Sequence, residues 1–340
     1  MNDRPDIYLP SGGSISNLAA FSRSIQNAPK RETLHIGAGH VKFLRPTCMI
    51  LLAKVCRTRG RKYKDETLTY HGLNKLGYAN NMGFSEALSL DDNPFPQGAF
   101  GGESYIPLSV ISLESLQSDM SENGGELGDA IERRSRDIAL IVSQDRSTEL
   151  RDILARSFRE IFRNCFEHGD AQNAVFCAQY WKNLDTVEIC IADRGIGVCK
   201  SLNQSKHTKP ETDEEALAFS LMPGVSSKAY RQKKQKRANQ HSSWNNSGYG
   251  LFFAHQLFGK LGHFYIASGE SSLYLTREGY QTFPCSIEGT LVSMRMSLSN
   301  ENEITGAITE IRNRAERVKA RLGVKSLAYK SVQAFLSSGE

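Results

Sequence analysis

The sequence predicts an α+β protein, a small α/β domain followed by a larger α/β sandwich and a C-terminal helix, and three observations carry that prediction. The chain has 340 residues, which at roughly 100–200 residues per domain suggests two cores. From Thr33 onward, strand-like runs alternate with helical stretches, the pattern of sheets covered by helices. The stretch from Thr33 to Ser112 already holds a complete strand–helix–strand–helix–strand series, which sets a small unit apart from the rest of the chain. Hydrophobic residues at 39%, charged residues at 23% and 10 prolines exclude a disordered or fibrous chain. The purest apolar run, Cys48 to Ala53, is far shorter than the roughly 18–20 residues of a membrane span, so no membrane partner is expected. The opening MNDRPDIYLP lacks the basic and then apolar stretch of a signal peptide, and a cytoplasmic location is expected. Seven cysteines, an odd number without a CxxC pair, predict reduced thiols used as small packing residues.

Residues 1–32 show weak periodicity and are read as a lead-in segment; residues 33–112 form the first domain. In it TLHIGAG reads as a strand and PTCMILLAKVCRTRG as a helix, with Pro46 in its first turn and Gly60 past its end. ETLTYHG is a second strand, LNKLGYANNMGFSEAL a second helix and SYIPLSVISL a third strand. Residues 113–298 form the second domain. Two helices interrupted at Gly124 and Gly125 lead into a long helix from about Thr148, with Ser147 as N-cap and Glu149 complementing the positive helix end. Its apolar positions Leu150, Ile153, Leu154, Phe158, Ile161, Phe162 and Cys165 repeat near 3.6. NAVFCAQYW and TVEICIA read as a hairpin, Asp213 to Leu221 and Tyr249 to Leu261 as helices, and HFYIASG, SSLYLTRE and GTLVSMRMSL as strands. In the tail, 299–340, Ile304, Ile308, Ile311, Ala315, Val318 and Leu322 predict a helix that packs back on its own domain or forms a seam with a partner or a second copy.

The net charge of +5 is local in origin. Seven basic residues and no acid lie between Ala216 and Gly269, mostly in KAYRQKKQKR, Lys228 to Arg237, and the rest of the chain is net acidic. That segment reads as a solvated loop, a mobile lid whose Lys228 or Arg231 reaches a bound anion, or a contact for an acidic partner or nucleic acid.

On the long helix, Glu160, Asn164 and His168 fall at i, i+4 and i+8 and share the face opposite the apolar stripe. An amide oxygen suits a hard cation such as Mg²⁺, and a carboxylate one turn away can deprotonate a water or hydroxyl. His168, beside Gly169 at the helix end, reads as a cap more than as a catalyst. Downstream, Asp193-Arg-Gly195-Ile-Gly197 closes an apolar strand, where glycines allow backbone to approach a flat ligand and Asp193 can accept from an exocyclic amine. Gly248-Tyr-Gly250-Leu251 precedes a helix whose amides could hold phosphate oxygens, and Gly289-Thr290 opens a late strand. The other histidines, His35, His40, His255 and His263, lack metal-ligand spacing and read as structural.

In this order the motifs resemble those of the GHKL ATPase superfamily, over roughly residues 113–298. EIFRNCFEHG is similar to the N box, IADRGIGV to the first glycine box, MPGVSSK to the start of the lid, SGYGLFFAHQL to the second glycine box and EGTLVSM to the last strand. The resemblance implies a Bergerat fold, with helices on one face of a mixed sheet, holding ATP and Mg²⁺ under a lid. It implies Glu160 as general base, Asn164 as Mg²⁺ ligand and Asp193 as adenine reader. It further implies that Gly197 and Thr290 support the adenine pocket and Gly248 and Gly250 the phosphates, with Gly195, Gly224, Ser227, Lys228 and Leu251 also among the nucleotide-binding residues. ExxxN followed by EHG is most similar to the anti-sigma-factor-like branch.

Residues 30–112, through AGHVKFLRPTCMILLAKV and YANNMGFSEAL, resemble a STAS-like domain, the fold of anti-sigma-factor antagonists. That resemblance puts Thr47 at a phosphoacceptor position without the acidic residue and glycine that flank such an acceptor. Together the two resemblances imply an ATPase whose lid closure regulates a protein partner. A Ser/Thr kinase, or a nucleotide-gated binding module without turnover, is the alternative.

Overall fold

The structure is a computed structural model that describes residues 4–11, 13–88, 101–144, 146–204, 209–223, 225 and 250–321. It is an α+β protein built on two sheets. A parallel three-stranded sheet has the order β1 (Ile7–Tyr8), β2 (Thr33–Gly37), β3 (Thr67–His71). The second sheet contains β4 (Tyr105–Ser112), β5 (Asn173–Trp181), β6 (Thr186–Asp193), β7 (Gly262–Thr276) and β8 (Gly279–Ser297), in the order β4-β5-β6-β8-β7. Every pairing in it is antiparallel, where the GHKL resemblance implies a mixed sheet.

Both faces of this sheet are covered, which explains why TVEICIA is apolar throughout instead of alternating. Val187, Ile189 and Ile191 point to the front, into a core shared with α6 (Leu127–Ser143), α7 (Thr148–Arg163), α9 (Asp213–Ser220) and α10 (Gly250–Leu261). Cys190 and Ala192 point to the rear, into a core shared with α1 (Ile15–Asn27) and α2 (Pro46–Lys62). α2 is buried all round from Pro46 to Cys56, as a helix between two layers must be. Pro46 sets its first turn, and Arg59, Arg61 and Lys62 in the last turn offset the helix dipole. The seven cysteines are free thiols, six of them buried. Among the described residues, no helix is long and apolar enough to cross a membrane.

Five elements differ from expectation, the first being β8, which starts at Gly279, ten residues before the strand expected at Gly289, so that Gly289-Thr290 lie inside it. The lead-in segment contains α1, whose inward positions Ile15, Leu18, Ser22, Ile25 and Gln26 have helical spacing but include two polar residues that blur the apolar pattern. Those two are satisfied locally: Ser22 Oγ donates to the Ala19 carbonyl at 2.6 Å and Gln26 Nε2 to the Val55 carbonyl at 2.8 Å. The single helix expected over 73–88 is three short turns, a 3₁₀ turn Leu73–Lys75, α3 (Gly77–Asn81) and α4 (Phe84–Ala87), broken where Gly83 turns left-handed (φ 86°). The third strand expected in the first domain is β4, which pairs with β5 and edges the larger sheet. The two strands expected over 263–277 are one strand, β7, with register shifts around Gly269. At the C-terminal end, α11 (Glu301–Arg321) packs its first half back on the front core through Ile304, Ala307, Ile308 and Ile311.

Candidate functional site

The Ser147 hydroxyl accepts from the Leu150 amide at 3.2 Å and starts α7. Its buried stripe, Leu150, Ile153, Leu154, Phe158, Ile161 and Phe162, fixes the rotation of the helix, each side chain contributing about 1.5–3 kcal/mol of burial. Glu160 flanks that stripe rather than opposing it, since Ile161 and Cys165 of the stripe line the same cleft as Glu160. The helix passes into a π turn, Asn164–His168, closed by Gly169 N–H donating to the Asn164 carbonyl at 2.7 Å. Glu160, Asn164 and His168 all line one cleft.

Asp193 ends β6 and enters the same cleft. Its Oδ1 accepts from Gly195 N–H at 2.7 Å and Thr290 N–H at 3.3 Å, so the first glycine box and β8 close on one carboxylate. Ile196 N–H donates to the Gly169 carbonyl at 2.8 Å, which ties this loop to the end of the π turn. A Cβ on Gly195 would overlap that carbonyl oxygen, so the close approach requires glycine. Gly195→Ala is expected to cost about 1–3 kcal/mol in urea unfolding, as other overpacking does, and a cost below about 0.5 kcal/mol would refute the assigned crowding. A Cβ on Gly250 would likewise overlap the Cγ of Glu160; glycine there lets α10 begin against the Glu160 side chain.

The cleft is open on one side, and the space within it, solvent included, is about 850 Å³. Its floor is Ile191, Ile266 and Val292 from three adjacent strands, and Val198, Leu202, Val225 and Leu251 form apolar walls. Gly197 and Thr290 lie at the Asp193 end, with Glu160, Asn164 and His168 along the helical side. Burial raises the pKa of Asp193, against the lowering effects of Lys54, Gly195 N–H, the Cys165 thiol and Thr290 N–H. Burial also raises that of Glu160; the Arg163 and Arg159 guanidiniums oppose this, 3.3 and 3.4 Å from its Oε1. Arg163 is itself held by Glu167 through Nε at 2.8 Å and Nη2 at 2.9 Å.

Of the residues expected at the site, Glu160, Asn164, Asp193, Gly197, Leu251 and Thr290 line the cleft, with Gly195 behind its loop and Gly250 against Glu160. Gly224, Ser227, Lys228 and Gly248 lie outside the described residues, as does the basic stretch Lys228 to Arg237. Thr47 is 3% exposed; its hydroxyl donates to Glu188 Oε1 at 2.6 Å, which buries the candidate phosphoacceptor inside the protein. His255 is buried with Nδ1 3.2 Å from the Leu251 carbonyl oxygen, and burial pushes its pKa down to about 3, in keeping with a structural role. Sequence reasoning missed the apolar floor and walls because strand residues that line a cleft have the same pattern as those that fill a core.

Asn164 and Glu160 both line the cleft and carry side-chain oxygens that could serve a hard cation, since Mg²⁺ is commonly held by one or two protein oxygens together with phosphates and water. Among the described residues, no group of three or more His, Cys, Asp or Glu could hold a metal without such help. No protein-family model, curated protein or solved structure matches this chain.

Proposed function

We propose that the chain binds ATP with Mg²⁺ in this cleft and hydrolyses the terminal phosphate, and that the nucleotide state controls a protein partner. One observation carries the reading: Glu160, Asn164, Asp193, Gly197, Leu251 and Thr290, scattered over 130 residues of sequence, converge on one cleft with an apolar floor. Asp193 is suited to accept from the exocyclic amine of a purine lying on Ile191, Ile266 and Val292. Asn164 would hold Mg²⁺ by its side-chain oxygen, and the ion supplies charge neutralisation on the phosphates. Glu160 is the base that takes the proton of the attacking water, and its burial-raised pKa strengthens it for that task. The walls position the reactants.

Purified protein with γ-labelled ATP and Mg²⁺ is expected to release free phosphate. Label retained on protein would replace hydrolysis with Ser/Thr kinase chemistry, bound nucleotide without turnover would leave a gated binding module, and no binding would overturn the reading. Asp193→Asn replaces one acceptor oxygen with an NH₂ donor. It is expected to weaken nucleotide binding about ten- to hundredfold in calorimetry, the range for a hydrogen bond to a charged group; unchanged affinity would remove Asp193 from the site.

A further inference from the structure

α2 lies across the rear of the sheet and is fastened to β6 at two points. At its N-terminus, the Thr47 amide and hydroxyl donate to Glu188 Oε1 at 3.1 and 2.6 Å. Two turns on, Lys54 Nζ donates to the backbone carbonyl of Asp193, the residue that reaches the cleft from the front. Asp193 lies one residue beyond the last rung between β6 and β8, Ala192 to Leu291, so its carbonyl is held from behind by a side chain. One turn further along α2, Thr58 Oγ1 and Arg61 Nη2 donate to Glu288 Oε2 at 3.1 and 2.8 Å, just before Gly289-Thr290. Lys54, Thr58 and Arg61 therefore grip the end of β6 and the middle of β8, the two places that make the Asp193–Thr290 contact.

Lys54 is 8% exposed, with the buried apolar side chains of Leu51, Leu52, Ala53 and Val55 beside it in the helix. A methionine would fill that space without the desolvation cost of a charge, so packing alone does not account for lysine. We infer that Lys54 is a positioning residue of the nucleotide site: its ammonium holds the Asp193 carbonyl and, through it, the turn whose carboxylate meets the purine. This rests on the nucleotide reading above, and it makes the N-terminal layer part of the site. The ammonium is faced by the carboxylates of Asp193 and Glu288, the guanidiniums of Arg61 and Arg194, and the thiols of Cys165 and Cys190. Burial brings its pKa down to about 8.

The test is calorimetric titration of full-length protein with a nonhydrolysable ATP analogue and Mg²⁺, from pH 7 to pH 9.5. Lys54→Met is expected to bind about tenfold more weakly at pH 7, the scale of one charge-assisted hydrogen bond. Wild-type affinity is expected to fall severalfold as pH rises through about 8, because the protonated amine is the stronger donor, and Lys54→Met to lack that limb. A role in packing alone would not give this pH dependence. Thr47→Val loosens the other end of α2 and is expected to lower the melting temperature while leaving affinity within twofold. Should Lys54→Met fail to fold, Lys54→Gln, an uncharged donor, carries the same test and is expected to lose the alkaline limb. Wild-type protein that binds no nucleotide overturns this inference together with the proposed function. Wild-type binding matched by the Lys54 variants, or an alkaline limb that persists in them, overturns the positioning role alone.

Discussion

Replacing Glu160 with glutamine is expected to lower ATP turnover by about 10²–10⁴, the usual contribution of a positioned general base, with nucleotide affinity within a few fold of wild type. The glutamine keeps the shape that fits against Gly250 while removing the proton acceptor, together with the charge that faces Arg159 and Arg163. Affinity should survive because the purine end of the cleft, Asp193 and Thr290, is untouched. Phosphate release and calorimetric titration of the same preparation separate the two effects. The base works only when deprotonated and its pKa is raised. Wild-type turnover should therefore fall toward acid at a higher pH than an ordinary glutamate would give. A glutamine variant retaining more than about a tenth of wild-type turnover would take the base role from Glu160.

Arg59→Met is expected to cost about 3–5 kcal/mol of stability, the largest effect of any single substitution considered, because it strands a buried charge. Arg59 is completely buried. Its Nε and Nη2 donate to Glu66 Oε2 and Oε1 at 2.5 and 2.6 Å, while Nη1 and Nη2 serve the carbonyls of Ile25, Ala28 and Pro29 where α1 ends. Without the guanidinium, Glu66 keeps only the Arg31 amide at 2.9 Å among its described donors. Urea unfolding followed by circular dichroism measures the loss, and a cost below about 1 kcal/mol would refute the account. The pH dependence has a definite sign. Hydrogen bonds from Arg59 and the Arg31 amide hold Glu66 below its ordinary pKa against the opposing effect of burial. Its contribution is therefore complete above the unfolded-state value, about 4.3, and is lost as pH falls through the lower folded value. Pairing the substitution with Glu66→Leu, which removes the stranded carboxylate, should recover part of the loss.

What could be read from the sequence divides along chemical lines. Glu160 and Asn164 were legible as polar residues one turn apart on an amphipathic helix, but the cleft runs along the edge of the apolar stripe, which also sends Ile161 and Cys165 into it. Asp193 was legible as the end of an apolar strand, where backbone is free to meet a ligand, whereas Thr290, expected to open a strand, lies in the middle of β8. The floor was not: Ile191, Ile266 and Val292 differ from core residues only by what lies above them, which depends on where three strands and a helix meet. β4 shows the same limit in the fold, since its strand pattern was clear but its pairing with β5 was not. α1 was missed because Ser22 and Gln26 occupy inward positions, an arrangement that is favourable only once the Ala19 and Val55 carbonyls are in place. Lys54 did leave a signal, a lone cation inside CMILLAKVC, but one that an exposed helix would also give.

The five-stranded sheet carries a buried core on each face, and this has a thermodynamic consequence. Peeling away the N-terminal layer would leave Tyr265, Ala267, Ile287 and Leu291 facing water, so melting that layer first is costly. Heat should be absorbed in a single peak. A molecule that grips the native N-terminal layer would then add its binding free energy to the endurance of the cleft on the other side.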